Sequence, residues 1–215
     1  MGTEVFLVAG AIAFGGGCLA RSRYERDCLV TEEYRIVSEK IHGPGKTIVF
    51  LTDLHNKEFG DQNCRLLDAV RKVKPDAVLS GGDGMVAKKG NSDVEIPRKL
   101  LTELAKEFPV YCGNGNHECR MVWKSDIYGA AYENYRAALE NAGIRYLANG
   151  SADLDGEIRI YGLDLPKSAY LPRSGQIPEN LLKDALGEPD PGRFNLLLAH
   201  SPLFFEEYAA WGADL

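Results

Sequence analysis

The stretch Val110–Glu118, with the sequence VYCGNGNHE, joins a short apolar run to a turn rich in glycine and asparagine. Glycine and asparagine tolerate the backbone angles that tight turns need, so a simple turn is one interpretation. The other interpretation is that Asn116 and His117 are directed at a bound ligand. The choice between them depends on whether other strands of the chain end in the same way.

Three further apolar runs end in polar residues of this kind. TIVFL is followed by Asp53 and His55, DAVLS by Asp83 within a glycine turn, and NLLLA by His200. Segments with helical spacing of apolar residues separate most of the runs, which indicates an α/β fold with a substantially parallel sheet. Open α/β sheets bind ligands beyond the carboxyl ends of their strands. We therefore expect these side chains to meet at one edge of a sheet.

The other elements are predicted from periodicity and turn chemistry. Helices are expected over residues 61–73, 92–108, 132–143 and 178–186, and strands over residues 47–51, 76–80, 110–112, 144–147, 158–163 and 194–200. Ser92 and Glu95 have the spacing of a capping box at the start of the second helix. An edge strand is expected around Tyr34–Ser38, and the later strands are expected to build a second layer.

Each polar residue at a strand end has an ordinary explanation when it is taken alone. Asp53 fits a turn or a helix cap, and His200 fits a buried histidine with satisfied ring nitrogens. Asp83 is more suggestive, because its flanking glycines let the backbone approach a bound group closely. Together the four strand ends favour a site for divalent ions, since carboxylate, imidazole and amide ligands suit Mn, Fe or Zn. A carboxylate such as Asp83 can bridge two ions, which would activate water for attack on a phosphoryl group.

The blocks DLH, GGD, GNHE and LLLAHSP resemble four of the five motifs of the calcineurin-like metallophosphoesterases, in family order and with similar spacing. The resemblance covers about Thr47 to the end of the sequence. It implies a sandwich of two mixed β-sheets flanked by helices, and two divalent metal ions. The short apolar segment at the N-terminus resembles the membrane-anchored bacterial branch of the family.

The same resemblance implies a set of metal ligands. Asp53 and His55 would ligate the first ion. Asp83 would bridge both ions. Asn116 and His200 would ligate the second.

The resemblance also implies two catalytic residues, His117 and Asp83. His117 would contact the phosphate and aid the leaving group without binding metal, Asp83 would help to orient the site, and Glu118 would support His117. The implied reaction is hydrolysis of a phosphate mono- or diester by a hydroxide that two metal ions activate. The alternative is a non-catalytic binding or scaffold protein on the same fold with an incomplete metal site.

The sequence departs from the family pattern at its end. The fifth motif, Gly-His-x-His, supplies one further ligand to each metal, and no histidine follows His200. We expect these 215 residues to be part of a longer enzyme, truncated before that motif and the last strands, with a natural variant as the other explanation. If they were the whole molecule, weak metal retention and little hydrolysis would be expected.

Composition and charge narrow the choice of partners. The net charge of −6 and the pI of about 5.3 provide no basic excess, so nucleic acid is not expected as a partner. No Gly-x-Gly-x-x-Gly follows the first strand, which argues against a nucleotide-binding Rossmann domain. The five cysteines include no Cys-x-x-Cys pair, so free thiols are expected. A phosphate-ester substrate would meet loops that carry Lys88, Lys89, Arg120, Trp123 and Lys124, unless these residues are simply solvated.

Residues 1–22 are predicted to form a membrane anchor, residues 23–46 a tether with the edge strand, and residues 47–215 the metallophosphoesterase domain. The uncharged segment Val5–Ala20 would reach roughly 24 Å as a helix, against a bilayer core of about 30 Å. The arginines that follow it would place the domain in the cytoplasm. We therefore expect a single-pass membrane protein, for which a lipid-linked phosphate ester would be a suitable substrate. A buried hydrophobic helix is the alternative.

Overall fold

The computed structural model describes residues 2–88, 92–171 and 175–215, with their side chains from residue 13 onward. The chain forms two compact units, Met1–Tyr34 and Arg35–Leu215. Lys89, one of the predicted loop residues, lies outside the described residues. All five cysteines are free thiols, as predicted.

The first unit is built on helix α1, Gly2–Asp27. The predicted single-pass membrane location is wrong on this finding: within the described residues, no helix combines the length and the apolar character that a membrane span needs. A span requires about 20 consecutive apolar residues, whereas the later part of α1 contains Gly15–Gly17 and then five charged residues between positions 21 and 27. Residues 2–12, which include much of the predicted anchor, have side chains outside the described part.

The edge strand predicted around Tyr34–Ser38 does not form. Residues 28–47 contain turns and irregular backbone. Tyr34 and Val37 are 80% and 84% exposed. A strand is stabilised by side chains that pack on its neighbours, and these two side chains bury little surface.

The first sheet of the second unit has four parallel strands, arranged in the order of the chain. They are β1 (Ile48–Leu51), β2 (Ala77–Ser80), β3 (Val110–Cys112) and β4 (Arg145–Tyr146). The connections between them contain α2 (Cys64–Val73), α3 (Glu95–Ala105), α4 (Asn116–Trp123), α5 (Ser125–Tyr128) and α6 (Ala131–Asn141). Because the strands are parallel, their carboxyl ends lie at the same edge of the sheet.

The second sheet has three strands and is mixed. They are β5 (Gly150–Asp153), β6 (Ile158–Leu163) and β7 (Phe194–Ala199), with β6 antiparallel to β5 and parallel to β7. Helix α7 (Leu181–Leu186) precedes β7, and α8 (Phe205–Trp211) follows it. Short 3-10 turns cover Asp61–Asn63, Lys167–Tyr170 and Pro202–Phe204.

The core lies between the two sheets. Leu79 and Tyr111 of the first sheet belong to the same buried cluster as Ile160, Leu196 and Leu198 of the second. Shared burial of these apolar faces is what holds the two layers together. The predicted α/β sandwich flanked by helices is confirmed, with one sheet parallel and the other mixed.

Three local features differ from the predictions. Helix α3 begins at Glu95 after the N-cap residue Val94, so Ser92 lies outside the helix and the capping box does not form. Asp93 Oδ1 instead accepts a hydrogen bond from the Glu95 N–H at 3.0 Å. The glycine-rich turn after β3 leads directly into α4, a helix that was not among the predicted ones. Strand β5 was also not among the predicted strands.

Candidate metal centre

Polar side chains from four strand ends meet at the carboxyl edge of the sheets. Asp53 and His55 follow β1, Asp83 follows β2, Asn116 begins α4 just after β3, and His200 follows β7. The structure therefore brings all five predicted ligands into one site.

Asp83 lies at the middle of this group and is 2% exposed. Its Oδ2 atom lies 3.3 Å from His200 Nε2, 3.5 Å from His55 Nε2 and 4.0 Å from His117 Nε2. Its Oδ1 atom accepts a hydrogen bond from the backbone N–H of His117 at 2.8 Å. One carboxylate oxygen thus holds the start of α4, while the other faces three imidazole rings.

Two groups of potential ligand atoms share Asp83. Asp53, Asp83 and His200 form one group, and His55, Asp83 and His117 form the other, with ligand atoms within 4.8 Å of one another in each. Carboxylate and imidazole donors of this kind fit Mn, Fe or Zn.

The grouping differs from the predicted pairing of Asp53 with His55, and it includes His117. Asp53 Oδ1 lies 3.3 Å from His55 Nε2 and 3.9 Å from His200 Nε2, so either histidine is within reach of a common ion. The division of the ligands between two ions stays a prediction.

The side-chain amide of Asn116 faces the same carboxylate oxygen. In one orientation of the amide, its nitrogen donates to Asp83 Oδ2 at 3.2 Å. In the same orientation, its oxygen accepts a hydrogen bond from the backbone N–H of His117 at 3.1 Å. An amide oxygen is a hard donor, so Asn116 adds a ligand type that suits a divalent ion such as Mn.

The loops after β1 and β2 continue to pair beyond the strands. The backbone N–H groups of Asp53, His55 and Asn56 donate to the carbonyl oxygens of Gly82, Asp83 and Gly84 at 3.1, 3.0 and 2.9 Å. Asp53, His55 and Asp83 have φ angles of 56°, 50° and 53°. Left-handed backbone is costly for residues with a side chain and occurs most often at functional sites. This strained pairing fixes the directions of the three side chains.

Glu118 ties the loop after β2 to the first turn of α4. Its carboxylate accepts hydrogen bonds from the backbone N–H groups of Asp83, Gly84 and Gly115, at 2.9, 3.1 and 3.0 Å. The family resemblance implied that Glu118 would support His117, whereas these bonds go to the backbone around Asp83. Burial raises the pKa of Glu118 to about 7, while the three N–H donors favour its ionised form.

His117 lies on the first turn of α4 and is 8% exposed. Its Nδ1 atom accepts a hydrogen bond from the backbone N–H of Ala87 at 3.0 Å. Its ring packs edge-on against His55, with 5.2 Å between the ring centroids. The Nε2 atom is thus the ring nitrogen that faces Asp83.

The electrostatics of the site favour a proton between His200 and Asp83. Burial lowers the pKa of His200, but the contact with Asp83 outweighs it and raises that pKa to about 9. Burial works to raise the pKa of Asp83, yet the hydrogen bonds from His200 and from the His117 N–H leave it lowered. Cations at Asp83 would compete with this proton, so ion binding is expected to release protons.

A sequence model of the calcineurin-like phosphoesterases matches residues 46–214, which include every residue of this site. The chain belongs to the calcineurin-like phosphoesterase family. A search of curated proteins gave no significant match. The match identifies the family, and it does not identify the membrane-anchored bacterial branch that the N-terminal segment resembles.

This calcineurin-like phosphoesterase also contains a buried polar network that was not predicted. Asn114 Nδ2 donates to both carboxylate oxygens of Asp164, each at 3.0 Å. It also lies 3.0 Å from the Tyr132 hydroxyl oxygen, to which it can donate. The Tyr146 hydroxyl donates to Asn114 Oδ1 at 2.6 Å. The network holds the turn that carries Asn116. Asp164 directly follows β6, so the strand-end pattern that found the other residues also points to it.

Replacing Glu118 with glutamine is expected to reduce phosphoesterase turnover by about 10- to 100-fold, which is typical when a group that orients a metal ligand is lost. The amide would turn an N–H₂ donor towards backbone N–H donors that now share the carboxylate. Turnover and bound metal are measured together. Glu133→Gln, a change at an exposed residue of α6, is the control. If the Glu118→Gln variant kept wild-type turnover, the hydrogen bonds from the backbone to the Glu118 carboxylate would not be needed to position the metal ligands.

Proposed function

We propose that this chain is a metal-dependent phosphoesterase that hydrolyses a phosphate mono- or diester with two divalent ions. The observation that carries the proposal is the position of Asp83, whose single buried carboxylate lies 3.3 Å from His200 Nε2 and 3.5 Å from His55 Nε2. Membership of the calcineurin-like phosphoesterase family supports the same reaction class.

Five residues would hold the ions. Asp53 and His55 would bind the first, Asn116 and His200 the second, and Asp83 both. Mn, Fe and Zn suit this mixture of carboxylate, imidazole and amide donors. When bound, two such ions supply positive charge for the phosphoryl oxygens and lower the pKa of water.

The chain's own residues would then bind and orient the ester. Asp53 and His55 have side chains that are 54% and 40% exposed, so the substrate would approach from their side of the site. His117 would contact a phosphoryl oxygen or the leaving-group oxygen through Nε2. Asp83 Oδ1 accepts a hydrogen bond from the His117 N–H. This bond would keep the His117 imidazole at a fixed position relative to the ions.

Hydrolysis of p-nitrophenyl phosphate or bis(p-nitrophenyl) phosphate is expected to require added Mn, Fe or Zn and to stop on chelation. The described residues offer three predicted ligands to each ion, so the assay is run with the ions in excess. Ion binding is measured in parallel by calorimetry. The preferred ester identifies the enzyme as a mono- or a diesterase.

Two results would reject this function. Turnover that is insensitive to the chelator would exclude a metal-dependent reaction. Saturable ion binding at the site without turnover of either ester would favour the non-catalytic binding protein instead.

A further inference from the structure

The Nδ1 atom of His117 faces donors and not acceptors in the contacts that the structure describes. The backbone N–H of Ala87 donates to it at 3.0 Å. A backbone N–H always carries its proton, so the nitrogen that it faces must offer a lone pair. The ring proton of a neutral His117 therefore resides on Nε2, the nitrogen directed at Asp83 and the ion site.

Arg120 strengthens this arrangement from the next turn of α4. Its Nη1 atom donates to the carbonyl oxygen of Ala87 at 2.9 Å and lies 3.4 Å from His117 Nδ1. His117 and Arg120 are three residues apart and thus lie on the same face of the helix. The guanidinium therefore fixes the Ala87 peptide group whose N–H meets the imidazole, and it adds a second donor beside Nδ1.

We propose that Arg120 is a positioning residue that, together with the Ala87 backbone, holds His117 in its Nε2–H tautomer, so that His117 serves the reaction as a hydrogen-bond donor that keeps its proton. This inference rests on the proposed phosphoesterase function. From the sequence, Arg120 is predicted either to grip substrate or to be solvated, whereas its contacts in the structure are with Ala87 and His117.

The chemistry of the tautomer explains the role. A neutral imidazole that gives up its Nε2 proton becomes an imidazolate anion, so donation of a hydrogen bond is favoured over transfer of the proton. A second ring proton would have to enter at Nδ1, where the Ala87 N–H already points. As hydroxide forms a new P–O bond and the P–O bond to the leaving group breaks, the leaving oxygen takes the electron pair and obtains its proton from water.

The tautomer is measured directly by long-range ¹⁵N–¹H NMR of the full chain, metal-free and loaded with zinc. Wild-type protein is expected to show a proton on His117 Nε2 and a bare Nδ1. Arg120→Ala is expected to show a mixture of tautomers. A proton on Nδ1 in the wild-type protein would overturn the proposal, and this readout does not depend on turnover.

Kinetics test the consequence. Arg120→Ala is expected to lower kcat by about 10- to 100-fold with little change in KM, and Arg120→Lys to restore part of the loss. His117→Gln, which keeps an N–H donor, is expected to retain more activity than His117→Ala. Arg71→Ala, which removes an arginine paired with Glu107 at the surface, is the control for loss of an arginine.

The outcomes separate this inference from the function on which it rests. Wild-type kcat and an unchanged tautomer in Arg120→Ala would refute the positioning role while leaving the phosphoesterase intact. Absence of metal-dependent hydrolysis in the wild type would refute the function, whatever the NMR result. Thermal melts of each variant separate loss of positioning from loss of fold.

Discussion

Asp83→Asn is expected to reduce metal-dependent phosphoester hydrolysis by about 10³-fold, equivalent to ~4 kcal/mol of transition-state stabilisation. Asp83 is the residue that both groups of potential ligands share. A neutral amide offers one oxygen in place of a charged carboxylate and cannot hold two cations together. Because the asparagine side chain of the variant retains an acceptor for the His117 N–H, the fold is expected to survive.

Turnover and metal content are measured on the same preparation, and elemental analysis is expected to show the loss of at least one ion. Asp68→Asn is the matched control, because Asp68 lies on the surface of α2 with 66% of its side chain exposed. If Asp83→Asn kept full metal content and turnover, Asp83 would not lie between the ions.

Gly82→Ala is expected to destabilise the second unit by about 4 kcal/mol or more, since it combines backbone strain with overpacking. Gly82 has a φ angle of 93°. A Cβ atom at this position would overlap with Gly115 N and would lie 2.5 Å from Gly115 Cα. Neither contact can be relieved by a side-chain rotation, because both atoms belong to the backbone of the turn before α4. The variant is expected to lose the site together with the fold.

The measurement is the urea concentration at which half of the protein is unfolded, with unfolding monitored by circular dichroism. Gly156→Ala provides the control, because a Cβ atom at Gly156 would meet nothing within 4 Å. A midpoint for Gly82→Ala equal to that of the control would mean that the loops after β2 and β3 are not packed as described.

The residues of the site could be predicted because they follow buried strands directly. Short apolar runs such as Thr47–Leu51 identify parallel strands, and parallel strands bring their carboxyl ends together. Asp53, Asp83 and His200 were therefore found without knowledge of the sheet order. Asp164 obeys the same rule, because it directly follows β6, and it was not among the predicted residues.

Contacts that depend on the approach of two loops could not be predicted. The hydrogen bond from Ala87 to His117 joins residues 30 positions apart, and their proximity results from the pairing of β2 with β3. The partners of Glu118 are backbone N–H groups, which every residue except proline carries and which leave no signal in the sequence. The capping box at Ser92 failed for a related reason, since Asp93 provides the acceptor that the helix start requires.

The position of β5 was also beyond sequence reasoning. Its residues, Gly150–Asp153, lack the alternating apolar pattern of a strand, and it is held by pairing with β6. The converse holds at Tyr34–Ser38, where the residues favour a strand but the described structure gives them no strand partner. Local preference decides strand formation only when tertiary contacts agree with it.

Asp83 is proposed to join two divalent ions, and anomalous diffraction from crystals grown with manganese would show whether it does. We expect two anomalous peaks about 3.5–4 Å apart, one on each side of the Asp83 carboxylate, with Asp53, His55, Asn116 and His200 around them. Manganese peaks that do not contact Asp83, or no peak at this edge of the sheets under saturating manganese, would contradict it.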